Sequence, residues 1–314
     1  MPLSTACRLA YGVVTPVRNE AANLRRVAAA LVAQRLRPAA WVVVDTGSTD
    51  ETLAVARGLA VEHSWIVVHE LAAGAVTMRG GPVVRAFHAG LELLPPAYDL
   101  AVKLDADTSF DEDYFDRLVA EFEADERLGI AGGVGYEQQD DGLWRQRFGT
   151  GPQVWGACRA YRRGCLAELL PLEERMGWDT MDLVAATVRG WDVRSIPGLP
   201  FCHHRLEGVR SHSRLSDYLL QGHAAHYMGY RPLYVVIRTL FRAVRDPLAV
   251  GISLGYLSSA LRREERSTDD AMLSWFREHQ RLRRLHLRAG ESLRTRGVLN
   301  DGPAETLATS QGFR

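Results

Sequence analysis

The chain has 314 residues, of which 46% are hydrophobic and 24% are charged, the ordinary composition of a globular protein with one large domain or two. Its 38 lysine and arginine residues equal its 38 acidic residues, so the overall field favours neither nucleic acid nor anionic lipid as a partner. The four cysteines show no CxxC spacing, which argues against a structural zinc site or a disulfide framework.

Short apolar runs alternate with helix-period segments from residue 9 to about residue 135. They predict strands at residues 11–15, 41–44, 65–68 and 98–102, with helices between them. This alternation predicts an α/β fold with a Rossmann-like, mostly parallel sheet flanked by helices. Ligands bind beyond the carboxyl ends of the strands in such sheets. Polar segments follow three of the predicted strands, so we expect a binding site at one edge of the sheet.

Two acidic residues one position apart, Asp105 and Asp107, end the fourth predicted strand. Side chains at positions i and i+2 of a strand share one face, so these carboxylates would repel each other. A divalent cation with oxygen ligands would relieve that repulsion, particularly if it also held a phosphate. The alternative is a solvated turn in which one of the two residues caps the next helix.

The pattern is less regular beyond residue 130. Glycine-rich turns and separate aromatic residues predict antiparallel strands mixed with two helices, one at residues 163–170 and another that includes residues 181–189. A helical, strongly apolar pattern follows from residue 215 to about residue 263. Its apolar residues are interspersed with Arg231, Arg238, Arg242 and Arg245, a pattern typical of a helix at a membrane surface. Packing on its own domain or on a partner subunit is the alternative.

These features predict three parts: a catalytic domain at residues 1–210, a helical region at 211–296 and a tail at 297–314. The tail has too few large apolar residues to fold. The uncharged stretch 247–261 is too short to span a bilayer. Because we see no signal-peptide pattern, we expect a cytoplasmic protein, or one held peripherally at the inner face of the membrane, either monomeric or homo-oligomeric.

Three motifs carry a family resemblance: residues 15–20 (TPVRNE), 44–50 (VDTGSTD) and 104–107 (LDAD). In this order and at these intervals they resemble the family-2 glycosyltransferases, inverting enzymes with the A-type nucleotide-sugar-binding fold. Further motifs at 177–182, 190–191 and 203–205 resemble a bacterial branch of that family. The resemblance implies a hexosyltransferase that moves sugar from a UDP- or GDP-sugar donor to a hydroxyl of a saccharide, lipid-linked glycan or secondary metabolite.

The resemblance also implies roles for individual residues. The residues implied to contact the nucleotide, its ribose or its phosphates are Thr15, Pro16, Val17, Glu20, Asp45, Arg79, Arg85 and Asp105, and Thr15 and Val17 would do so through their backbone. Asp107 would hold Mn2+ or Mg2+, with His203 or His204 completing the metal site. The alternatives are structural: Asp45 and Glu20 would cap helices, and the two arginines would belong to solvated helix faces.

The catalytic base is harder to assign. The family usually carries Glu-Asp ahead of a helix, with the aspartate as base, whereas here Thr180 stands at the usual aspartate position. Asp179 is therefore the predicted base, and Asp182, three residues later, is the alternative. The structural alternative for Asp179 is a helix cap. Three tryptophans are candidate sugar-stacking platforms, namely Trp155, Trp178 and Trp191.

Two other functions fit parts of the sequence. A sugar nucleotidyltransferase would share the parallel sheet, but we would expect a glycine-rich loop after its first strand, and residues 15–20 contain no glycine. A catalytically degenerate, transferase-like binding or scaffold protein would explain the missing Glu-Asp pair. The intact Asp105 and Asp107 argue against that alternative.

Overall fold

The computed structural model describes residues 8–72, 80–138, 144–146, 154–204, 213–244 and 246–281. Within these ranges a nine-stranded sheet has helices on both faces, and four helices follow it. The strands are β1 (Tyr11–Val17), β2 (Ala40–Asp45), β3 (Ile66–Glu70), β4 (Leu100–Leu104), β5 (Thr108–Phe110), β6 (Leu128–Gln138), β7 (Trp144–Gln146), β8 (Cys158–Arg162) and β9 (Asp192–His203). The helices are α1 (Ala21–Val32), α2 (Thr52–Glu62), α3 (Gly81–Leu91), α4 (Tyr114–Ala124), α5 (Arg163–Leu169), α6 (Trp178–Val188), α7 (Arg214–Tyr227), α8 (Pro232–Ala243), α9 (Val250–Leu261) and α10 (Asp270–His279).

The strand order is β3-β2-β1-β4-β8-β6-β9-β5, with β7 paired to β6. Strands β3, β2, β1 and β4 are parallel, whereas β8 runs antiparallel to both β4 and β6. The sheet is therefore mixed and flanked by helices, which confirms the predicted fold class. The carboxyl ends of β1, β2 and β4 lie at one edge, as the sequence predicted.

Both faces of β1, β2 and β4 are buried, which is why these strands read as continuous apolar runs. Val13 and Val43 face one core, which includes residues of α1, α2 and α4. Val14 and Val44 face the other, which includes residues of α3, α5, α6 and α10. Helix α10 thus shares a core with the sheet. The boundary at residue 210 remains a prediction, and the predicted tail lies outside the described residues.

Two of the helices after the sheet, α7 and α9, meet through glycines. A Cβ added to Gly255 would lie 2.1 Å from the carbonyl oxygen of Leu219, and one added to Gly222 would lie 2.2 Å from that of Ile252. Glycine at both positions lets the two helix backbones come this close. Among the described helices, none is both long enough and apolar enough to cross a bilayer.

The glycine contact predicts opposite effects for two alanine substitutions within helices. Gly255→Ala should lower the free energy of unfolding by about 1–3 kcal/mol, because the added methyl group overpacks against backbone. Gly58→Ala in α2 should raise it by about 1 kcal/mol, because a Cβ there meets nothing within 4 Å and alanine favours a helix. Urea denaturation measures both values. A stabilising effect of Gly255→Ala would contradict the packing described here.

Candidate functional site

The segment between β4 and β5 is a tight turn that carries Asp105 and Asp107. Its backbone is held from both sides: the Asp105 N–H donates to the Ala157 carbonyl (2.7 Å), and the Asp107 carbonyl accepts from the His204 N–H (2.7 Å). The turn, rather than the alternation along a strand assumed from the sequence, brings the two carboxylates together. Neither residue caps the next helix, because the residue at the cap position of α4 is Asp113.

Asp105, Asp107 and His203 form the one candidate metal-binding group found among the described residues. One ligand atom from each lies within 4.8 Å of the others. His203 Nε2 lies 3.2 Å from Asp107 Oδ1, and its Nδ1 lies 3.8 Å from Glu137 Oε1. The Nδ1 atom is buried and has no hydrogen-bond partner in the described part of the chain. A buried imidazole beside converging carboxylates is a donor set that fits a divalent cation.

The charges around this group favour a cation. Burial alone would lower the pKa of His203, but the hydrogen bond and charge of Asp107, together with Asp105 and Glu137, raise it. Burial raises the pKa of Asp105, and Asp107 adds to that shift, although the neighbouring Lys103 ammonium opposes it. The charge of Asp107 contributes to both shifts, and a divalent ion would relieve the repulsion between the two carboxylates.

Lys103 lies behind Asp105 and is only 3% exposed. Its Nζ donates to Asp105 Oδ1 (2.5 Å) and to the Gly156 carbonyl (2.7 Å), and it lies 5.7 Å from the centre of the Trp178 ring. A buried ammonium group needs such partners, so the ion pair between Lys103 and Asp105 restricts the orientation of the Asp105 side chain. This role of Lys103 was not predicted from the sequence. A single lysine within the apolar run of β4 was the signal that could have revealed it.

The structure separates the two neighbouring histidines. Whereas His203 joins the acidic group, His204 Nε2 lies 2.7 Å from Ser109 Oγ, and its ring packs edge-on against Trp144. Burial and the charge of Arg26 lower the pKa of His204 to about 4, so its ring is neutral at pH 7. Of the two predicted alternatives, His203 is therefore the candidate metal ligand.

The loops after β1 and β2, which carry the first two motifs, are bonded to each other. The Asn19 N–H donates to Ser48 Oγ (3.0 Å), and Asn19 Oδ1 accepts from the Thr49 N–H (2.7 Å). Asn19 adopts a positive φ of 56°, a conformation that asparagine tolerates better than most residues. The two motifs thus form one connected edge. This role of Asn19 and Ser48 was not predicted from the sequence.

Asp45 shapes the turn that follows β2. Its Oδ2 accepts from the N–H groups of Gly47 and Ser48 (3.1 Å each), and its Oδ1 accepts from the Ser48 hydroxyl. Gly47 has a φ of 89°, where glycine carries no steric penalty. The alternative that Asp45 caps α2 is wrong, because the residue at that position is Glu51.

The predicted contact residues at the end of β1 are largely engaged within the protein. The Thr15 hydroxyl is fully buried and accepts from the Trp41 indole N–H (2.8 Å). The Val17 carbonyl accepts from both the N–H and the hydroxyl of Thr46 (3.0 Å each). Pro16 is half-buried between them. These residues hold the edge in shape, and the Thr15 side chain does not reach its surface.

Glu20 lies at the start of α1 and is 4% exposed. Its N–H donates to Thr52 Oγ1 (2.7 Å), which ties α1 to the start of α2. Its carboxylate accepts from Asn23 Nδ2 (2.8 Å) and makes no side-chain bond to the helix backbone. Glu20 thus occupies the N-cap position of α1, as the structural alternative predicted, but its side chain forms no capping hydrogen bond.

The predicted phosphate-binding stretch is only partly described. Arg79 lies outside the described residues. Arg85 on α3 forms an ion pair with Glu174 (3.0 Å). A Cβ on Gly80 would lie 2.8 Å from the Arg175 carbonyl oxygen, so this glycine allows close approach to the protein's own loop. Nothing in these contacts brings Arg85 to the acidic group.

Asp179 lies in the first turn of α6 and is half-buried. Its carboxylate is close to Gly156, where an added Cβ would lie 3.6 Å from Asp179 Oδ2. The carbonyl of Gly156 binds Lys103, so Asp179 is beside the Lys103–Asp105 pair. The helix cap is Gly177, so the structural alternative of a capping Asp179 is wrong.

Asp182, the alternative base, is enclosed in the protein. Its side chain is 1% exposed and accepts from Arg159 Nη1 (2.5 Å) and the Tyr161 hydroxyl (2.6 Å). Arg159 also donates to the backbone carbonyl of Asp179 (2.9 Å). This geometry argues against Asp182 as a base, because an acceptor hydroxyl could not reach it. No sequence pattern indicated this role for Arg159, one of two arginines in β8 and the buried one.

The three candidate stacking tryptophans differ in position. Trp155 is half-buried, and its ring centre lies 4.7 Å from that of His203. Trp178 is 8% exposed and belongs to the core. Trp191 donates its indole N–H to Glu168 (3.1 Å), with no contact to the acidic group. Only Trp155, among these three, borders the candidate metal group.

The enclosed ion pair predicts unequal effects on stability for two aspartates three residues apart. Asp182→Asn should lower the free energy of unfolding by about 3 kcal/mol or more, because it leaves the Arg159 charge buried without its counterion. Asp179→Asn, the matched control in the same helix, should change it by less than about 1 kcal/mol because its carboxylate is half-exposed. Urea denaturation monitored by circular dichroism gives both values, and equal effects would contradict the burial described for Asp182.

Residues 12–72 match the family model described as glycosyl transferase family 2. No curated protein matches the chain. The fold is similar to the mannosyltransferase PcManGT from Pyrobaculum calidifontis in complex with GDP-Man and Mn2+, at 15% identity and a TM-score of 0.54, covering 97% of this chain and 80% of that one.

Two further solved structures share the fold. S. aureus TarS 1-349 is 14% identical, with a TM-score of 0.51 over 98% of this chain and 93% of that one. GalNAc-T7 with UDP, GalNAc and Mn2+ is 15% identical, with a TM-score of 0.56 over 91% of this chain and 58% of that one. The matched segment contains β1, β2 and both of their motif loops. The resemblance predicted from the sequence is thereby confirmed over residues 12–72, and the predicted A-type fold is confirmed by the structures of similar fold.

Proposed function

We propose that the chain transfers a sugar from a UDP- or GDP-sugar to an acceptor hydroxyl, with inversion at the anomeric carbon. The observation that carries this proposal is the group formed by Asp105, Asp107 and His203 at the carboxyl edge of the parallel strands. Ligands of open α/β sheets bind at this edge. Two structures of similar fold contain Mn2+ with GDP-Man or UDP, which supports the choice of donor and metal.

The residues of the metal group have distinct tasks in this proposal. A bound Mn2+ or Mg2+ would neutralise the charge of the leaving diphosphate. Asp107 and His203 are the predicted ligands, and the converging geometry adds Asp105, which the resemblance had placed at the ribose. Lys103 fixes the orientation of Asp105 through its 2.5 Å contact. Glu137 lies beside the other nitrogen of His203 and helps to keep the group negative.

The nucleotide would lie along the edge formed by the loops after β1 and β2. Because Thr15, Val17 and Asp45 are engaged within the protein, we assign them the task of shaping this edge. Glu20 supports it by joining α1 to α2 through its backbone. Arg85 could contact a phosphate only by exchanging its partner Glu174 for it.

Asp179 is the proposed general base. The acceptor hydroxyl must give up its proton as the new glycosidic bond forms, and this requires a carboxylate within hydrogen-bond reach. Asp179 is half-exposed beside the Lys103–Asp105 pair, whereas Asp182 is enclosed by Arg159. The bond from Arg159 to the Asp179 carbonyl fixes the first turn of α6. One buried arginine thereby supports the residue that does the proposed proton transfer.

Metal-dependent nucleotide binding tests the donor site. Asp107→Asn removes a ligand charge, so it should weaken the binding of UDP or GDP in the presence of Mn2+ by about tenfold or more. Isothermal titration calorimetry with and without Mn2+ measures this. Asp270→Asn, at an exposed aspartate of α10, is the matched control and should bind as the wild type does. Unchanged affinity in folded Asp107→Asn would rule out the assignment.

The base is tested by the rate of transfer. Asp179→Asn should keep nucleotide affinity and melting temperature, because the amide has nearly the same shape. Its turnover should fall by about 10²–10⁴-fold, the usual contribution of a positioned base. Release of UDP or GDP from a donor panel, with saccharide and lipid-linked acceptors, gives the rate. Wild-type turnover in Asp179→Asn would show that another group takes the proton.

A further inference from the structure

Helices α8 and α9 expose an apolar face. Ten large apolar side chains between residues 233 and 261 keep more than a third of their surface exposed. They are Leu233, Val236, Leu240, Phe241, Val244, Leu248, Val250, Leu254, Leu257 and Leu261. Elsewhere in the described chain the exposed large apolar residues number five and are scattered over the elements, namely Val61, Val67, Leu93, Leu170 and Leu215. This concentration needs an explanation, because single exposed apolar residues are common but large apolar patches are not.

The exposed residues follow helical periodicity. On α8 and its C-cap residue they recur at positions 233, 236, 240 and 244, and on α9 at 250, 254, 257 and 261. These spacings of three and four residues put each set on one side of its helix. The two helices pack against each other, so the stripes lie on neighbouring elements. We call the ten residues together the α8–α9 face.

Arginines are frequent in the segment that carries this face. Residues 231–263 contain six arginines and a single acidic residue, Asp246, and they are followed by Glu264 and Glu265, of which Glu264 lies 4.0 Å from Arg262. Arg238 lies on α8 and forms no ion pair within the described residues, while Arg262 and Arg263 are exposed at the end of α9. An apolar stripe flanked by arginines is the pattern of a helix that lies in the plane of a bilayer surface. Anionic headgroups attract such arginines.

The helices that carry the α8–α9 face pack closely against α7. Helix α9 packs on α7 through Gly255 and Gly222, so α9 cannot simply rotate its apolar side inward. The end of α7 contacts the loop before α6: the Tyr227 hydroxyl donates to Glu173 (2.8 Å), and the Arg175 guanidinium lies 3.4 Å from the Tyr227 ring centre. The face is thus joined through α7 to the segment that leads directly into the helix of Asp179.

We propose that the α8–α9 face docks the protein on the surface of an anionic lipid bilayer. A second copy of the chain fits the face less well, because a two-fold pairing would bring the arginines of both copies together. The docking proposal stands independently of the proposed glycosyl transfer. If the chain both docks on a bilayer and transfers a sugar, the contacts through α7 would hold Asp179 and the bound acceptor at a fixed orientation to the membrane.

Vesicle cosedimentation of the full chain tests the docking. We expect binding to vesicles of phosphatidylcholine with phosphatidylglycerol at low salt, with weaker binding at high salt and to phosphatidylcholine alone. The double variant Leu240→Glu/Leu257→Glu, at side chains 62% and 53% exposed, should lower the partition coefficient by about tenfold or more. Arg238→Gln should lower it by about fivefold.

Val61→Glu is the matched control, because Val61 is an isolated apolar residue on α2 that is 88% exposed. It should partition as the wild type does, and all variants should keep their melting temperatures and their metal-dependent nucleotide binding. Failure of a folded wild-type chain to bind anionic vesicles at low salt would overturn the proposal. A second outcome would also overturn it: the wild-type chain does not bind vesicles but self-associates, and the double variant abolishes that self-association. The α8–α9 face would then be a contact between copies of the chain.

Discussion

A single buried ammonium group holds the candidate site together. Lys103 is nearly inaccessible to water, and its three hydrogens have two oxygen partners, one on Asp105 and one on the backbone of Gly156. These partners belong to different parts of the sheet domain, the turn after β4 and the loop before β8. Because an unpartnered ammonium would be costly in this position, the two segments are held against each other. The acidic turn and the neighbourhood of Asp179 therefore have a fixed relation.

A second buried cation extends this arrangement to α6. Arg159 binds the Asp182 carboxylate and two backbone carbonyls, those of Val154 and Asp179. Replacing its counterion would leave the guanidinium without compensation, which is why we treat Asp182 as a positioning residue. The two aspartates of α6 therefore have different roles. Asp182 faces inward and secures the helix, whereas Asp179 remains partly open to a ligand.

The first half of the fold could be predicted from the sequence, because its strands are short apolar runs between helices with clear 3.6-residue periodicity. The motifs after β1, β2 and β4 could likewise be placed at one edge, since parallel strands end there. The choice between His203 and His204 could not, because it depends on the pairing of β9 with β5 and β6. That pairing sets His203 opposite both Thr108 and Glu137, and both of these residues are far from His203 in the sequence.

The choice between Asp179 and Asp182 as the base could not be predicted from the sequence for a related reason. It rests on Arg159, which is 23 residues from Asp182 in the sequence and on a different element. The engagement of Thr15 with Trp41 and of Arg85 with Glu174 also depends on distant partners. Local patterns identified which residues gather at the edge. Which of their side chains remain available was decided by tertiary contacts.

The most direct test of this account is a crystal structure of the wild-type chain with Mn2+ and a nucleoside diphosphate, recorded at the manganese absorption edge. Anomalous scattering locates the ion without reference to any assumed ligand. The account predicts one strong peak at bonding distance, about 2.0–2.3 Å, from Asp107 and His203, with Asp105 adjacent and the diphosphate on the far side. A bound nucleotide with its manganese away from these residues, or with none, would contradict it.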